Sequence, residues 1–299
     1  MKFLVTGSSG FVGRRLCKSL YQQGHSLSLV LREGEKKEKD IYVCNLKNEC
    51  LPEEAFEGVD TVFHLAGYAH DLKNSKKLEH DYYLTNVVAT RNLFKSSSEM
   101  GIKNFIFISS VKAGCSDASE RDSEETPQGV YGETKRKAEL ELLEFSNQTD
   151  MKVFIIRPSL VYGPKIRGNL LSMKKAIEAG WFPPLPIIQN VRSMVHVDDL
   201  VRAILLVKEK GISGEIYNVT DGKDYSTTEI YETFCSVLRK ELPKLRVPFF
   251  MLKLLGLIPG RLSYKINKLI GDEKYSSSKI ETLGFSAKLR FGDLNETLF

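Results

Sequence analysis

Three glycines follow the first apolar run of the chain, in the stretch "KFLVTGSSGFVGRRL", at Gly7, Gly10 and Gly13. The apolar run before them and the helical pattern after them predict a strand, a tight turn and a helix. Glycines at this spacing omit side chains where the chain turns, where a pyrophosphate meets backbone and where helix packs on strand. The N–H groups of the first helical turn, at Phe11 and Val12, would face the phosphates. The stretch therefore predicts a dinucleotide-binding unit.

Short apolar runs alternate with longer helical patterns through the first half of the chain. The runs are "KFLVT", "LSLVL", "IYVC", "TVFHLA", "FIFISS" and "KVFIIRP". This alternation predicts an α/β fold with a parallel sheet covered by helices on both faces, the Rossmann-type doubly wound arrangement. The runs are apolar throughout, as expected for strands buried on both faces.

The pattern changes after "RPSLVYGP", where helices near 169–179, 226–240 and 249–255 are joined by turn-rich segments. The strand-like and helical pieces "SMVHVDDLVRAILLV" and "EIYNV" are expected to return to the sheet. We therefore predict a dinucleotide-binding domain and a smaller, discontinuous C-terminal substrate lobe. The domain covers 1–165 with 192–219 returning to it, and the lobe covers 166–191 and 220–299.

Composition and charge exclude several other classes. A formal charge of +5, with Lys and Arg interspersed among Glu and Asp, does not predict nucleic-acid binding. The five cysteines include no C-x-x-C pair, and the N-terminus lacks a signal-peptide pattern, so we expect a reducing, cytoplasmic setting. The apolar stretch "FFMLKLLGLIPG" is too short for a membrane span. We expect a buried or lobe helix there, with contact to a membrane surface as the alternative.

The residue at the end of the second predicted strand bears on the choice of cofactor. An acid at this place binds the ribose 2′-hydroxyl of NAD, whereas a basic group accepts the 2′-phosphate of NADP. Arg32 stands there, nineteen residues after Gly13. The sequence therefore favours NADP over NAD, although Glu33 could still serve a ribose hydroxyl.

A second motif lies in "VYGETKRKAEL", where Tyr131 and Lys135 are four residues apart on a predicted helix. That spacing places both side chains on one helix face, so an ammonium can lie near a phenol and lower its pKa. Ser109 and Ser110 end the preceding strand, at the sheet edge where ligands bind in open α/β folds. One of the two serines could hydrogen-bond a substrate oxygen while Tyr131 moves a proton.

Together, the glycine turn, "HLAG", the paired serines, Tyr-x-x-x-Lys, "RPSLVYGP" and the closing "SSSKIETLGF" resemble the extended short-chain dehydrogenase/reductase family. That family includes the nucleotide-sugar epimerases, dehydratases and 4-reductases. The resemblance implies that Tyr131 is the acid/base, that Lys135 holds the nicotinamide ribose and lowers the pKa of Tyr131, and that Ser110 is the catalytic hydroxyl. Ser109 remains open for that last role.

The resemblance also implies two groups of contact residues. Besides the positions above, those expected along the cofactor are Asn45, Leu46, Leu65, Ala66, Gly67, Asn86, Ser109 and Pro158. A structural role for Asn86 is the alternative to cofactor contact. The substrate would be a UDP-hexose or UDP-N-acetylhexosamine of surface-polysaccharide synthesis, held by Ser110, Tyr131, Lys112, Asn169 and Arg192. For Arg192, which would pair a phosphate, an ordinary surface charge is the alternative.

The reaction itself stays open at this stage. Val111 and Lys112 follow Ser110 where a 4,6-dehydratase would have an Asp-Glu pair, which leaves a UDP-sugar 4-epimerase and a UDP-4-keto-sugar reductase. Arg32 favours the reductase, and a catalytically silent dinucleotide sensor or scaffold is the alternative class. The resemblance implies a homodimer through helices near 75–98 and 131–147.

The histidines and Cys115 are candidates for metal binding and for nucleophilic catalysis. His64 and His70 have no third ligand at useful spacing, so no metal is expected and His64 is assigned to its strand. Cys115 could line a sugar site, but no base partner is evident in the sequence that would make it a nucleophile.

Overall fold

The computed structural model describes residues 1–33, 40–68, 76–114, 126–258 and 261–293. The chain divides into two compact units. The first unit comprises Met1–Ser159, Leu200–Val219 and Ser276–Ser286. The second comprises Leu160–Asp199, Thr220–Tyr275 and Ala287–Phe299.

The described residues form ten strands and ten α-helices. The strands are β1 (Lys2–Thr6), β2 (Ser26–Leu31), β3 (Ile41–Val43), β4 (Val59–His64), β5 (Asn104–Ile108), β6 (Lys152–Pro158), β7 (Leu160–Tyr162), β8 (Arg192–His196), β9 (Ile216–Val219) and β10 (Asp224–Tyr225). The helices are α1 (Phe11–Gln22), α2 (Lys76–Tyr83), α3 (Ala89–Glu99), α4 (Gly129–Ser146), α5 (Gly168–Glu178), α6 (Val197–Lys210), α7 (Thr227–Val237), α8 (Phe249–Leu257), α9 (Arg261–Ile270) and α10 (Ser278–Glu281).

The first unit is built on a seven-stranded sheet in the order β3-β2-β1-β4-β5-β6-β9, and every neighbouring pair is parallel. The strands read as apolar runs because helices cover both faces, and Leu4, Val62 and Phe105 are fully buried. The strand order from β3 to β6 is that of the doubly wound dinucleotide-binding fold. The predicted fold class is confirmed.

The second unit contains a three-stranded sheet in the order β10-β8-β7, in which β8 runs parallel to β7 and antiparallel to β10. A buried polar cluster lies beside it, where the hydroxyls of Tyr162 and Tyr225 donate to Asp221 Oδ2 at 3.0 and 2.8 Å. The sequence-based expectation that all of 192–219 returns to the large sheet is wrong for β8. That strand pairs within the smaller sheet, whereas β9 does join the large sheet beside β6.

Helix α8 lies in the second unit, where a buried or lobe helix was expected for "FFMLKLLGLIPG", but it is not buried. Leu252 and Gly256 are its buried residues, and most of its remaining apolar side chains are exposed to solvent. A helix that is apolar on every side has no sequence pattern to show which of its side chains pack against the protein. In α8, few of them do. Among the described residues, no helix is both long and apolar enough to cross a membrane.

Candidate active site

The glycine turn between β1 and α1 is formed by close backbone approaches. Gly7 adopts a φ of +68°, and a side chain there would lie 2.7 Å from the backbone nitrogen of Ala66. A Cβ at Gly13 would overlap the carbonyl oxygen of Gly7, and the N–H of Gly10 donates to that same oxygen at 2.9 Å. Each glycine therefore has the steric reason that the motif predicts.

Helix α1 begins after Gly10, and no side chain caps it there. Its first N–H groups, at Phe11 and Val12, lie at the positive end of the helix dipole, which is the environment that a phosphate requires. The bare backbone of the turn allows close approach to these groups. The described residues thus fit the diphosphate of a dinucleotide, as the sequence predicted.

A buried hydrogen-bonded chain supports the loop that follows β4. His64 contacts Thr6 through Nδ1, 2.7 Å from Oγ1, and Thr90 through Nε2, 2.8 Å from Oγ1. Thr6 Oγ1 also accepts from the N–H of Ala66 at 3.2 Å. Burial, with a smaller effect from Lys135, lowers the pKa of His64 to about 3, so its ring is neutral. The sequence did not predict this supporting role of His64. Its only indication was that polar residues stand within otherwise apolar strands.

Asn86 fixes the far end of the same loop. It lies in a π-helical turn, Leu84–Val88, that joins α2 to α3. Its Oδ1 accepts from the N–H of Tyr68 at 2.8 Å, and its Nδ2 donates to Tyr68 O at 3.2 Å and to Thr134 Oγ1 at 3.1 Å. Both protons of the amide are therefore used within the protein, which supports the structural alternative for Asn86. Gly67 lies beside it, where a Cβ would be 3.2 Å from both Asn86 Oδ1 and Lys135 Nζ.

Ser110 is the serine that joins Tyr131. The Ser110 hydroxyl lies close enough to the Tyr131 phenol to lower its pKa, and Ser110 Oγ accepts from the N–H of Lys112 at 3.3 Å. Ser109 Oγ is buried and has no hydrogen-bond partner among the described residues. Lys112 Nζ donates to Gln128 Oε1 at 2.9 Å. The geometry therefore favours Ser110 over Ser109 as the hydroxyl that acts with Tyr131.

Desolvation by the surrounding protein raises the pKa of Tyr131 to about 12. The hydrogen bond from Ser110 opposes this shift, whereas Tyr82 and Glu139 add to it. Lys135, which we expected to lower this pKa, is not among the groups that shift it. Tyr131 is therefore a protonated phenol at neutral pH.

Lys135 is almost fully buried and points back toward the end of β5. Its ammonium donates to the carbonyl of Ile108 at 2.9 Å and lies 4.5 Å from the centre of the Phe107 ring. Burial lowers the pKa of Lys135 to about 8, and Glu139, one helical turn further along α4, acts in the opposite direction. A buried cation at this sheet edge attracts electron-rich ligand oxygens more strongly than a solvated one would.

Helix α4, which carries Tyr131 and Lys135, is tied to β6 by a buried ion pair. Arg157 donates to both carboxylate oxygens of Glu139, at 2.9 and 2.5 Å, and Arg136 Nη1 lies 3.3 Å from Glu139 Oε2. Glu139 is 0% and the Arg157 side chain 4% exposed. This clamp keeps α4 in place against the strand and so positions the residues one and two turns before Glu139.

The predicted adenosine contacts lie on the other side of β1. Arg32 follows the last residue of β2, is 66% exposed and lies with its Nε 3.2 Å from Glu33 Oε1. Asn45 forms a turn after β3, where its N–H donates to Glu49 Oε2 at 2.7 Å, and Leu46 packs against the core. An open cleft of about 610 Å³ lies between α1 and β2 and is lined by residues that include Arg14 and Lys18.

Two of the remaining predicted cofactor contacts are held by main-chain pairing. Leu65 donates through its backbone N–H to Thr6 O at 3.2 Å, and Pro158 is the buried last residue of β6. His70 and Cys115, the second of which could line a sugar site, lie outside the described residues.

The two substrate residues predicted in the second unit differ from each other. Asn169 lies exposed in the first turn of α5. Arg192 is buried, and its guanidinium bonds Thr227 Oγ1 at 3.1 Å, Glu273 Oε2 at 3.4 Å and the carbonyl of Lys268. The structure corrects the prediction that Arg192 pairs a substrate phosphate, because each of its nitrogens already bonds the protein.

The fold and this site together define a dinucleotide-dependent enzyme with a Ser-Tyr-Lys set at the carboxyl edge of a parallel sheet. The model of the NAD dependent epimerase/dehydratase family matches residues 3–220. The chain belongs to this family, and its enzymes include nucleotide-sugar epimerases and dehydratases of the extended short-chain dehydrogenase type, as the sequence predicted.

Several relatives are similar over nearly the whole chain. A UDP-glucose 4-epimerase of Vibrio cholerae is 33% identical, with 94% of this chain and 89% of that protein covered. An N-acetyl-alpha-D-glucosaminyl-diphospho-ditrans,octacis-undecaprenol 4-epimerase of Escherichia coli O157:H7 is 29% identical, covering 96% and 86%. A UDP-glucose 4-epimerase structure from Thermotoga maritima has a TM-score of 0.78 at 23% identity, covering 99% of this chain and 97% of that one, and shows the same fold.

Proposed function

We propose that the protein transfers hydride at C4 of a UDP-hexose or UDP-N-acetylhexosamine and acts as a 4-epimerase. The observation that carries this proposal is that Tyr131 lies one helical turn before the buried ammonium of Lys135, 2.9 Å from Ile108 O, with Ser110 close enough to lower the pKa of its phenol. A phenol placed in this way can exchange a proton with a sugar hydroxyl while its neighbouring serine orients the same oxygen. The two 4-epimerase relatives, similar over more than nine tenths of this chain, support the choice of reaction.

The protein's own groups have distinct tasks in this proposal. Tyr131 takes the proton from the O4 hydroxyl and later returns it, and Ser110 holds the oxygen between these steps. Lys135 binds the ribose beside the reacting ring. The bound nicotinamide supplies the acceptor and donor of hydride. Because burial raises the pKa of Tyr131 to about 12, the tyrosinate that takes this proton needs stabilisation beyond that given by Ser110.

A 4-keto-sugar reductase that consumes NADPH is the second candidate. Arg32 supports it, since a guanidinium after β2 suits a ribose 2′-phosphate and no acid stands at that position. Arg14 and Lys18 add positive charge to the neighbouring cleft. On this ground we propose that the chain accepts NADP as well as NAD. Replacement Arg32→Asp would then weaken NADP binding more than NAD binding, and equal losses would remove this argument.

The setting of the reaction is part of the same proposal. UDP-sugars and nicotinamide dinucleotides are cytoplasmic metabolites, so we place the enzyme in the cytoplasm, as a homodimer that provides sugars for surface polysaccharides. The name of the relative from Escherichia coli O157:H7 gives it a sugar linked through diphosphate to undecaprenol. The substrate panel should therefore include a polyprenyl-diphosphate-linked N-acetylhexosamine. Light scattering of the purified protein tests the homodimer.

The deciding experiment incubates the purified protein with UDP-glucose, UDP-N-acetylglucosamine, their 4-keto derivatives and the lipid-linked sugar, each with NAD or NADPH. Isomer formation without net change in reduced nicotinamide supports the 4-epimerase. Stoichiometric loss of NADPH with a 4-keto sugar supports the reductase instead. Retained dinucleotide binding with no turnover of any sugar contradicts both and supports a sensor. The variant Tyr131→Phe is the matched control, because it removes only the phenol oxygen.

A further inference from the structure

The second unit exposes an unusual amount of apolar surface in one short segment. Nine of the 17 large apolar side chains that are exposed among the described residues lie between 242 and 258. They are Leu242, Leu245, Phe249, Phe250, Met251, Leu254, Leu255, Leu257 and Ile258. Exposed apolar side chains that cluster in this way mark interaction sites, whereas scattered ones do not.

The shape of α8 explains why these side chains stay exposed. Leu252 and Gly256, four residues apart, face the rest of the unit, and a Cβ at Gly256 would lie 3.3 Å from Ile266 Cγ2 of α9. Ser263 Oγ also donates to the carbonyl of Gly256. One narrow stripe of α8 therefore packs on α9. The wider remainder of its circumference presents Phe250, Leu254 and other apolar side chains to solvent.

Positive charge is concentrated in the same part of the sequence. Residues 239–258 contain five Lys or Arg and one acidic residue, so this segment carries +4 of the chain's net charge of +5. Arg239, Lys240, Lys244 and Arg246 precede α8 and are exposed, and Lys253 lies on the helix. A partner that buries this surface must therefore be apolar at its centre and negatively charged around it.

A bilayer surface with anionic headgroups has this chemistry. A helix with exposed Phe, Leu and Met and flanking cations lies in the plane of the interface, with its side chains among the upper acyl chains and its cations near the phosphates. The nine residues of α8 are too few to cross the roughly 30 Å of hydrocarbon, which leaves this interfacial position. A second copy of the chain would bring the excess positive charge of both segments together, which disfavours that occupant.

We propose that the exposed side chains of residues 239–258, with α8 at their centre, form a docking surface for anionic membranes and bind the protein reversibly to the bilayer. Insertion of Phe250, Leu254 and Leu257 provides the apolar part of the binding. The lysines provide attraction that depends on salt. This surface goes beyond the sugar chemistry and does not depend on it.

The test is flotation of the full-length protein with vesicles of phosphatidylcholine alone or with about 30 mol% phosphatidylglycerol, a typical anionic lipid fraction. We expect binding to the anionic vesicles, weaker binding to the neutral ones, and loss of binding as salt shortens the Debye length. The triple variant Phe250→Ser, Leu254→Ser, Leu257→Ser should raise the lipid concentration for half binding at least about tenfold. The matched control replaces three exposed apolar side chains elsewhere: Met100→Ser, Ile187→Ser, Ile212→Ser. It should bind like the original protein.

A second pair of variants tests the charge. Lys240→Gln, Lys244→Gln, Lys253→Gln should lose most of the preference for anionic vesicles, whereas a control that replaces Lys103, Lys152 and Lys210 by Gln should keep it. Thermal unfolding establishes that all variants are folded. The proposal is overturned if the protein does not float with anionic vesicles, or if the two apolar triples bind equally. It is also overturned if light scattering shows that the α8 triple only dissociates a dimer.

Membrane depth provides an independent readout. Trp181 is the single tryptophan of the chain, so Trp181→Phe with Phe250→Trp gives one reporter on α8. Quenching of this reporter by brominated acyl chains is the expected result. A reporter at Ile212 in the same background should show none, and equal quenching at both positions would contradict insertion through α8.

Discussion

Replacement of Arg157 by Met would leave the Glu139 carboxylate buried without its bidentate partner. Both side chains are nearly inaccessible, and two hydrogen bonds of 2.9 and 2.5 Å join them across α4 and β6. Removal of one member of a buried pair costs about 3 to 5 kcal/mol, because the remaining charge stays desolvated. Arg136 remains 3.3 Å from Glu139, so we expect the lower end of this range.

For a unit of this size, a loss of about 3 kcal/mol lowers the midpoint of thermal unfolding by about 10 °C. Circular dichroism in urea and on heating measures both quantities. The matched control is Arg91→Met. Arg91 on α3 makes an equally bidentate pair with Glu141 on α4, at 2.8 and 2.6 Å. That pair is 30% and 18% exposed, so its loss should cost only about 1 kcal/mol.

The double variant Glu139→Leu, Arg157→Met separates charge from packing. It removes both charges and leaves apolar side chains, so it should recover at least about half of the stability that Arg157→Met loses. If Arg91→Met is as damaging as Arg157→Met, or if the double variant is less stable than the single one, burial of an unpaired carboxylate is not the cause and the reasoning is refuted.

Three further outcomes are expected. Tyr131→Phe should lower kcat about 10³-fold and leave dinucleotide affinity within a factor of two or so, as steady-state kinetics and cofactor titration would show; equal losses in both would argue against a role in proton transfer. Gly13→Ala should abolish dinucleotide binding, since its Cβ would overlap the carbonyl of Gly7, whereas Gly292→Ala, with no atom within 4 Å of its Cβ, should bind normally in the same titration. Burial lowers the pKa of Lys135 from its ordinary 10.5 to about 8, so between these pH values the unfolded chain binds more protons and stability should rise with pH. The cofactor-free variant Lys135→Met, followed by urea unfolding across this range, should lack that rise.

The sequence predicted the parts of the site that depend on local spacing. The glycine turn and the Tyr131–Lys135 pair each lie within a few residues, and their neighbours in the chain predict the strand or helix that carries them. The alternation of apolar runs also predicted the parallel sheet. These features follow from period and spacing alone, so no long-range information was needed.

Contacts between distant residues could not be predicted in this way. His64 meets Thr6 and Thr90, which are 58 and 26 residues away, and nothing in a linear pattern pairs them. Arg192 shows the same limit, because its partners Thr227 and Glu273 lie 35 and 81 residues further along the chain. The resemblance implied that Arg192 pairs a substrate phosphate, whereas in the structure its guanidinium is bonded to the protein.

The sequence left the exposure of α8 open for a different reason. A helix that is apolar on every side is expected to be buried, and its sequence carries no sign of whether enough protein surrounds it. The basic residues around α8 were the feature of the sequence that could have indicated its exposure. Spread over the whole chain, a net charge of +5 is ordinary. Because residues 239–258 carry +4 of it, the charge indicates a basic surface there.

The π-helical turn at Leu84–Val88 makes the site sensitive to chain length as well as to residue type. A π turn contains one residue more than the α-helical turn it replaces. Deletion of a single residue there would restore regular helix and rotate the preceding helix by about 100° relative to α3, because each residue of an α-helix advances by that angle. Asn86 could then no longer hydrogen-bond both backbone groups of Tyr68. The number of residues in the π turn therefore sets how α2 and α3 are rotated relative to each other about the helix axis.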